Sequence, residues 1–204
     1  MLYHVSLFPV KSFYPRVPAI RCDSENPDIP RISFSQYSEL DALRAVPEAG
    51  LSIKQLLTLG ICPTLYVYTL SEDICRFVLS PDEKANGIRV FECTEKYVPD
   101  ADLSGECWVL DYLDMDELQC RTFYITDIQY DAFASKIGYI EDMSLTPCSN
   151  PESNLERLFS KFNCEAKLDD PRMLKFLYPG NENPFLGYAL EVLLDTYENE
   201  KINL

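Results

Sequence analysis

The sequence predicts an α+β fold: a mixed or split β-sheet domain over residues 1–147, followed by a helical C-terminal segment over residues 148–204 packed on it. Three observations point there. Short runs of alternating or β-branched and aromatic residues recur through the first 130 positions. Helix-spaced apolar stripes dominate after residue 150. Clusters of Pro, Asp, Ser and Gly separate the runs, as turns do. The 204 residues are 47% apolar and 25% charged, with 14 Pro and 7 Gly, which is globular composition and excludes a collagen-like fibre, a coiled coil or a fully disordered chain.

The elements follow in order. Residues 1–6 read as a short strand. Residues 8–31 hold five prolines and no helical period, so they form a long irregular connection, a type often functional in compact domains. Arg31 to Ser35 alternate polar and apolar, as a half-buried strand does. Ser38 is placed to cap a helix carrying Leu40, Leu43 and Val46, with Pro47 ending it. Ser52 is placed to cap a second, with Ile53, Leu56 and Leu57 closed near Gly60. Thr64 to Leu70 is the clearest strand. Residues 88–93, 106–113 and 121–128 complete a set of about six strands. The stretches between them read as turns, Asp100 and Asp102 beside Pro99 included. Residues 145–152 are the expected linker. Two helices follow, one with Leu155, Leu158, Phe159 and Phe162 as its stripe, the other running from Leu186 to Tyr197.

The eight cysteines are scattered, without a Cys-x-x-Cys pair or a Cys/His cluster, so no metal site is expected and reduced thiols are. Eighteen basic against 33 acidic side chains give a formal charge of −15, which argues against direct nucleic-acid binding. The same charge suits solubility, or an acidic surface that meets a basic protein partner. No run approaches the ~20 apolar residues of a membrane span, and the N-terminus lacks the features of a secretory signal, so a cytoplasmic location without membrane association is expected.

The only histidine, His4, falls on the first strand; Ser33 and Ser35 fall on the second; Glu106 opens a later one. In this order and spacing residues 1–128 resemble the NAD-dependent ADP-ribosyltransferases. Leu2-Tyr3-His4-Val5-Ser6 resembles that family's first strand, Ile32-Ser33-Phe34-Ser35-Gln36-Tyr37 with the helix after it the second, and Leu65-Tyr66-Val67-Tyr68 the apolar strand that follows. The resemblance implies that NAD is the substrate and that Glu106 is the catalytic acid. It implies that His4 orients the dinucleotide and that Ser35 lines the nicotinamide pocket. It further makes Tyr37 a stacking partner and Arg16 or Arg31 a partner of the pyrophosphate. The chemistry suits these groups. Breaking the nicotinamide–ribose bond develops positive charge on the sugar, which a carboxylate stabilises. Three positions depart from the family pattern: Val5 stands where a glycine follows the histidine, Phe34 where a threonine separates the serines, and Ser104 where arginine-modifying members have a second glutamate.

Three functional classes therefore compete. One is ADP-ribosyl transfer to an acceptor, or NAD hydrolysis. Another is a non-enzymatic acidic protein, an inhibitor or nucleic-acid mimic that binds a basic partner, of a kind phages and plasmids encode. The last is a transferase framework reused for binding after activity was lost.

Overall fold

The computed structural model describes residues 1–7, 9–18, 24–46, 49–130, 140–154, 156–157 and 160. Eight strands make one mixed sheet: β1 (Leu2–Ser6), β2 (Ile32–Ser35), β3 (Thr64–Leu70), β4 (Cys75–Val78), β5 (Ile88–Glu92), β6 (Glu106–Val109), β7 (Leu118–Tyr130) and β8 (Ile140–Pro147). Their order across the sheet is β4-β5-β6-β2-β1-β3-β7-β8. All neighbours run antiparallel except β4 and β5. Helices α1 (Glu39–Arg44), α2 (Ala49–Thr58) and α3 (Ala101–Ser104) accompany them. The fold class is thus α+β.

Burial explains the centre of the sheet. All seven residues of β3 are buried, which is why Thr64 to Leu70 reads as a continuous run. One face packs Leu2, Phe34, Tyr66, Tyr68 and Cys107 under Phe13 and Leu113. On the other face Val5, Leu65 and Val67 pack against Leu43, Ala49 and Ile53 of α1 and α2, and a separate group gathers around Trp108, Phe91, Val98 and Ala101. Each fully buried aliphatic side chain contributes roughly 1.5–3 kcal/mol.

Ser38 caps α1 as expected, its side chain accepting from the Asp41 amide. Arg44 in the last turn bonds Asp41 at 2.9 Å and reaches the Ile140 and Glu141 carbonyls, tying the edge strand β8 to the helix. Several expectations are corrected. Helix α2 begins at Ala49, so Ser52 lies inside it rather than at its cap. The stretch after Pro99 holds a helical turn, α3, entered through Asp100 at φ 63°. β6 stops at Val109, because the chain turns at Asp111 to bond the Arg89 amide and guanidinium. β4 and β8 were not expected. Residues 145–152 are not a free linker. Leu145 pairs with Ile125 in the sheet, and the Asn154 side chain is buried against β3. The stripe Leu155, Leu158, Phe159 and Phe162, the helix expected over 186–197, and Cys22 and Cys164 all lie outside the described residues. The six described cysteines are unpaired thiols, with Cys75, Cys93 and Cys107 buried. Among the described residues no helix is long and apolar enough to cross a membrane.

Candidate functional site

The point of interest is the seam between β1 and β2. β1 registers five residue pairs with β3, but a single pair, Tyr3 with Ser35, with β2. Alternate residues of a strand direct their backbone polar groups to the same side. Along the edge of β2 that faces β1, three different partners take those groups in turn. Ser35 pairs with Tyr3 in β1. The Ser33 carbonyl accepts from the His4 imidazole, Nδ1 at 2.8 Å. Arg31 exchanges two backbone hydrogen bonds, at 3.0 and 3.1 Å, with Arg16. The strands part after one rung, and a side chain and the proline-rich connection complete the ladder.

His4 therefore has a defined tautomer. A carbonyl only accepts, so Nδ1 carries the proton, and the neutral ring offers Nε2 as an acceptor. Burial is the largest influence on the ring and pushes its pKa down; the Ser33 bond opposes this and the Arg16 charge adds to it. The ring packs against Phe13, Phe34 and Tyr68 at centroid distances of 5.0, 5.5 and 6.1 Å.

Glu106 sits across β2. It pairs with Ser35, and Ser33 pairs with Trp108, so Glu106, Ser33, Ser35 and Trp108 share a face. The Glu106 carboxyl accepts from the Trp108 indole at 3.0 Å, and the Ser33 hydroxyl lies near enough to favour its charged form. Burial raises its pKa above the ordinary carboxylic range; the Trp108 bond, the Ser33 hydroxyl and the Arg31 charge work the other way, and Glu25 adds to the rise.

The expectation that His4, Ser35 and Glu106 line one face is corrected by the register. His4 shares its face with Phe34, and Glu106 projects from the opposite one, because Phe34 and Ser35 are consecutive residues of β2. What lies between the two groups is Ser33. Its carbonyl holds the imidazole, and its hydroxyl lies near enough to the carboxyl to favour the charged form. Ser35 has a different task. Its hydroxyl donates to the Ser104 carbonyl at 2.7 Å and accepts from the Tyr37 amide, fastening the end of β2 to the end of α3.

Tyr37 is 58% exposed. Its hydroxyl donates to the Asp102 carbonyl at 3.2 Å, and its ring lies over Gly105, the residue before Glu106. Gly105 has φ 62°, and a Cβ there would stand 2.7 Å from the Tyr37 ring, so this position needs glycine twice over. Arg31 is buried, which corrects its expected role toward a pyrophosphate. Its terminal nitrogens are spent on the Asn26 and Ile29 carbonyls and on Glu25, its guanidinium lies 4.2 Å from the Trp108 ring centroid, and its Nε has no partner among the described residues. Arg16 is exposed and lies within electrostatic reach of His4. No group of metal-binding side chains occurs among the described residues.

Two contributors escaped the sequence reading. Ser33 was legible as half of the Ser-x-Ser pair, but nothing in the order of residues says which serine meets the acid. Trp108 stands two positions after Glu106, a spacing that puts both side chains on one face of a strand. Together the fold and seam define an eight-stranded α+β protein with a neutral imidazole and a buried carboxyl on opposite faces of the sheet, either side of one serine. No protein-family model, curated protein or solved structure matches the chain.

Proposed function

We propose that the protein cleaves the nicotinamide–ribose bond of NAD and transfers the ADP-ribosyl group to an acceptor, with the dinucleotide lying across the β1–β2 seam. The observation that carries this reading is the buried Glu106 carboxyl, held by the Trp108 indole at 3.0 Å, beside the place where the strands part. The neutral His4 ring, on the opposite face of the sheet from Glu106, holds the Ser33 carbonyl and so keeps the seam beside the substrate in place. As the C1′–N bond breaks, its electron pair leaves with neutral nicotinamide, and positive charge builds on the ribose. The ionised Glu106 carboxylate stabilises that charge. The acceptor, water or a nucleophilic side chain, then adds to C1′ and releases its proton to solvent. Tyr37, exposed beside Gly105, supplies a ring for stacking on the nicotinamide. Arg16 meets the pyrophosphate.

Calorimetry with NAD and measurement of nicotinamide release test the proposal. His4→Ala is expected to loosen the β1–β2 seam by removing the bond to the Ser33 carbonyl, and so to lower nicotinamide release more than NAD binding. Glu106→Gln is expected to lower nicotinamide release about a hundredfold or more without lowering the urea midpoint at neutral pH. Wild-type protein that neither binds NAD at millimolar concentration nor releases nicotinamide defeats the reading.

A second reading, an acidic protein that binds a basic partner, is favoured by the β4 end of the sheet. There Ile74, Phe77 and Leu79 are exposed among the exposed carboxylates of Glu72, Asp73, Asp82 and Glu83. Such binding would weaken steeply as salt rises.

A further inference from the structure

Trp108 is fully buried, and its volume alone would make it a core residue. Its indole N–H does more, because it donates to Oε1 of Glu106 at 3.0 Å. The indole is itself held in place. Tyr97 meets it edge-on at 5.8 Å, and Phe91 packs at a tilt at 5.9 Å. The Arg31 guanidinium lies 4.2 Å from the ring centroid, a cation–π distance. Arg31 is fixed in turn by the Asn26 and Ile29 carbonyls and the Glu25 carboxylate. A phenylalanine would supply most of the packing in this stack, whereas only the indole supplies a donor aimed at Glu106.

Resting on the reading of Glu106 as the catalytic carboxylate, we propose that Trp108, clamped by Arg31, is a positioning residue that holds the Glu106 carboxylate in place and favours its charged form. An N–H donated to a carboxylate stabilises the anion over the acid. It also prevents the carboxyl from turning away from the sugar it must face. The other groups around Glu106 are accounted for. Arg31 and the Ser33 hydroxyl favour the anion, while Glu25, on the segment that carries Arg31, opposes it. The Cys93 thiol beyond β5 and the Cys107 thiol on β6 are pushed far up by burial and stay neutral at physiological pH. Trp108 acts only through Glu106, so its loss should change the pH dependence of the reaction more than the affinity for NAD.

Trp108 is the only tryptophan of the chain, so its fluorescence reports directly on the carboxyl bonded to it. The full-length protein is titrated from about pH 4 to about pH 9, a range that brackets a raised carboxyl pKa. The emission of the wild type is expected to follow an ionisation that is missing in Glu106→Gln. In Trp108→Phe, the Glu106 carboxyl, followed by carbon NMR on labelled glutamate, is expected to titrate about one pH unit higher, as loss of a hydrogen bond to a charged group requires. The pH of half-maximal nicotinamide release moves by the same amount, with KM for NAD changed less than about twofold. Identical emission curves for wild type and Glu106→Gln overturn the proposal even if Trp108→Phe does not fold. An unmoved Glu106 titration in a folded Trp108→Phe also overturns it. If the wild type releases no nicotinamide, the enzymatic reading fails, and the two titrations still decide whether Trp108 controls Glu106.

Discussion

Asn154→Ala should be among the most damaging single substitutions of a polar residue in this chain. Asn154 is 5% exposed and lies just beyond β8, at the edge of the described residues. Its Oδ1 accepts from the Thr64 amide at 2.6 Å, and its Nδ2 donates to the Thr64 carbonyl at 2.9 Å and the Leu7 carbonyl at 2.7 Å. One amide thus satisfies three backbone groups where β3 begins and β1 has ended. Three hydrogen bonds at about 1 kcal/mol each give a loss of about 3 kcal/mol. Thr64 is fully buried, so its orphaned amide finds no water, which raises the loss toward about 5 kcal/mol. A domain of this size should melt roughly 6–20 °C lower. Urea unfolding followed by far-UV circular dichroism measures the change, with Glu141→Ala, an exposed carboxylate on β8, as a control expected within about 0.5 kcal/mol of wild type. Asn154→Asp should be at least as harmful, since it keeps the acceptor, loses both donors and buries a charge. If Asn154→Ala costs less than about 1 kcal/mol, the hydrogen-bond accounting is wrong and this segment does not pin the sheet.

Three more outcomes follow from the same geometry. Gly105→Ala should destabilise by about 2–3 kcal/mol, from the left-handed backbone and the displaced Tyr37 ring; Gly105→Ala combined with Tyr37→Ala should recover only the part due to the ring, as urea titration will resolve. Glu106 has a raised pKa in the folded protein, so the stability it contributes is complete below its ordinary pKa of 4.5 and is lost as pH rises through the folded value; Glu106→Gln should therefore gain in urea midpoint over wild type on going from acid to alkaline pH. Asp111 has the opposite sign. Burial would raise its pKa, but the Arg89 hydrogen bonds outweigh burial and depress it, so its contribution is present above its ordinary 3.8 and fades as pH falls through the lower folded value; Asp111→Asn should lose its disadvantage in acid.

The parts of the fold that were legible carry their signal locally. Ser38 caps α1 because its hydroxyl competes for a neighbouring amide, a contact set by residues three apart. β3 reads as a strand because both of its faces are buried, which enriches every position in apolar and β-branched residues. β8 was illegible because register shifts at Ile125/Asp127 and Gln129/Tyr130 break the pairing with β7, and its exposed edge mixes Glu141, Asp142 and Ser144 among the apolar residues. α3 spans four residues, too few for a helical period to appear. The site divides in the same way. That a histidine, serines and a glutamate occur on strands was visible; which serine lies near the glutamate carboxyl depended on pairing.

By itself the sequence determined the elements that answer to neighbours along the chain: the short strand β1, alternation on β2, the cap of α1, the continuous run of β3, and a charge of −15. Only the tertiary structure decided that β1 leaves β2 after one rung, that His4 and Glu106 project from opposite faces, and that Ser33 lies between them. Strand order and register are set by which apolar faces bury together, a property of residues dozens of positions apart, and a shift of one residue reverses the face of every side chain on a strand.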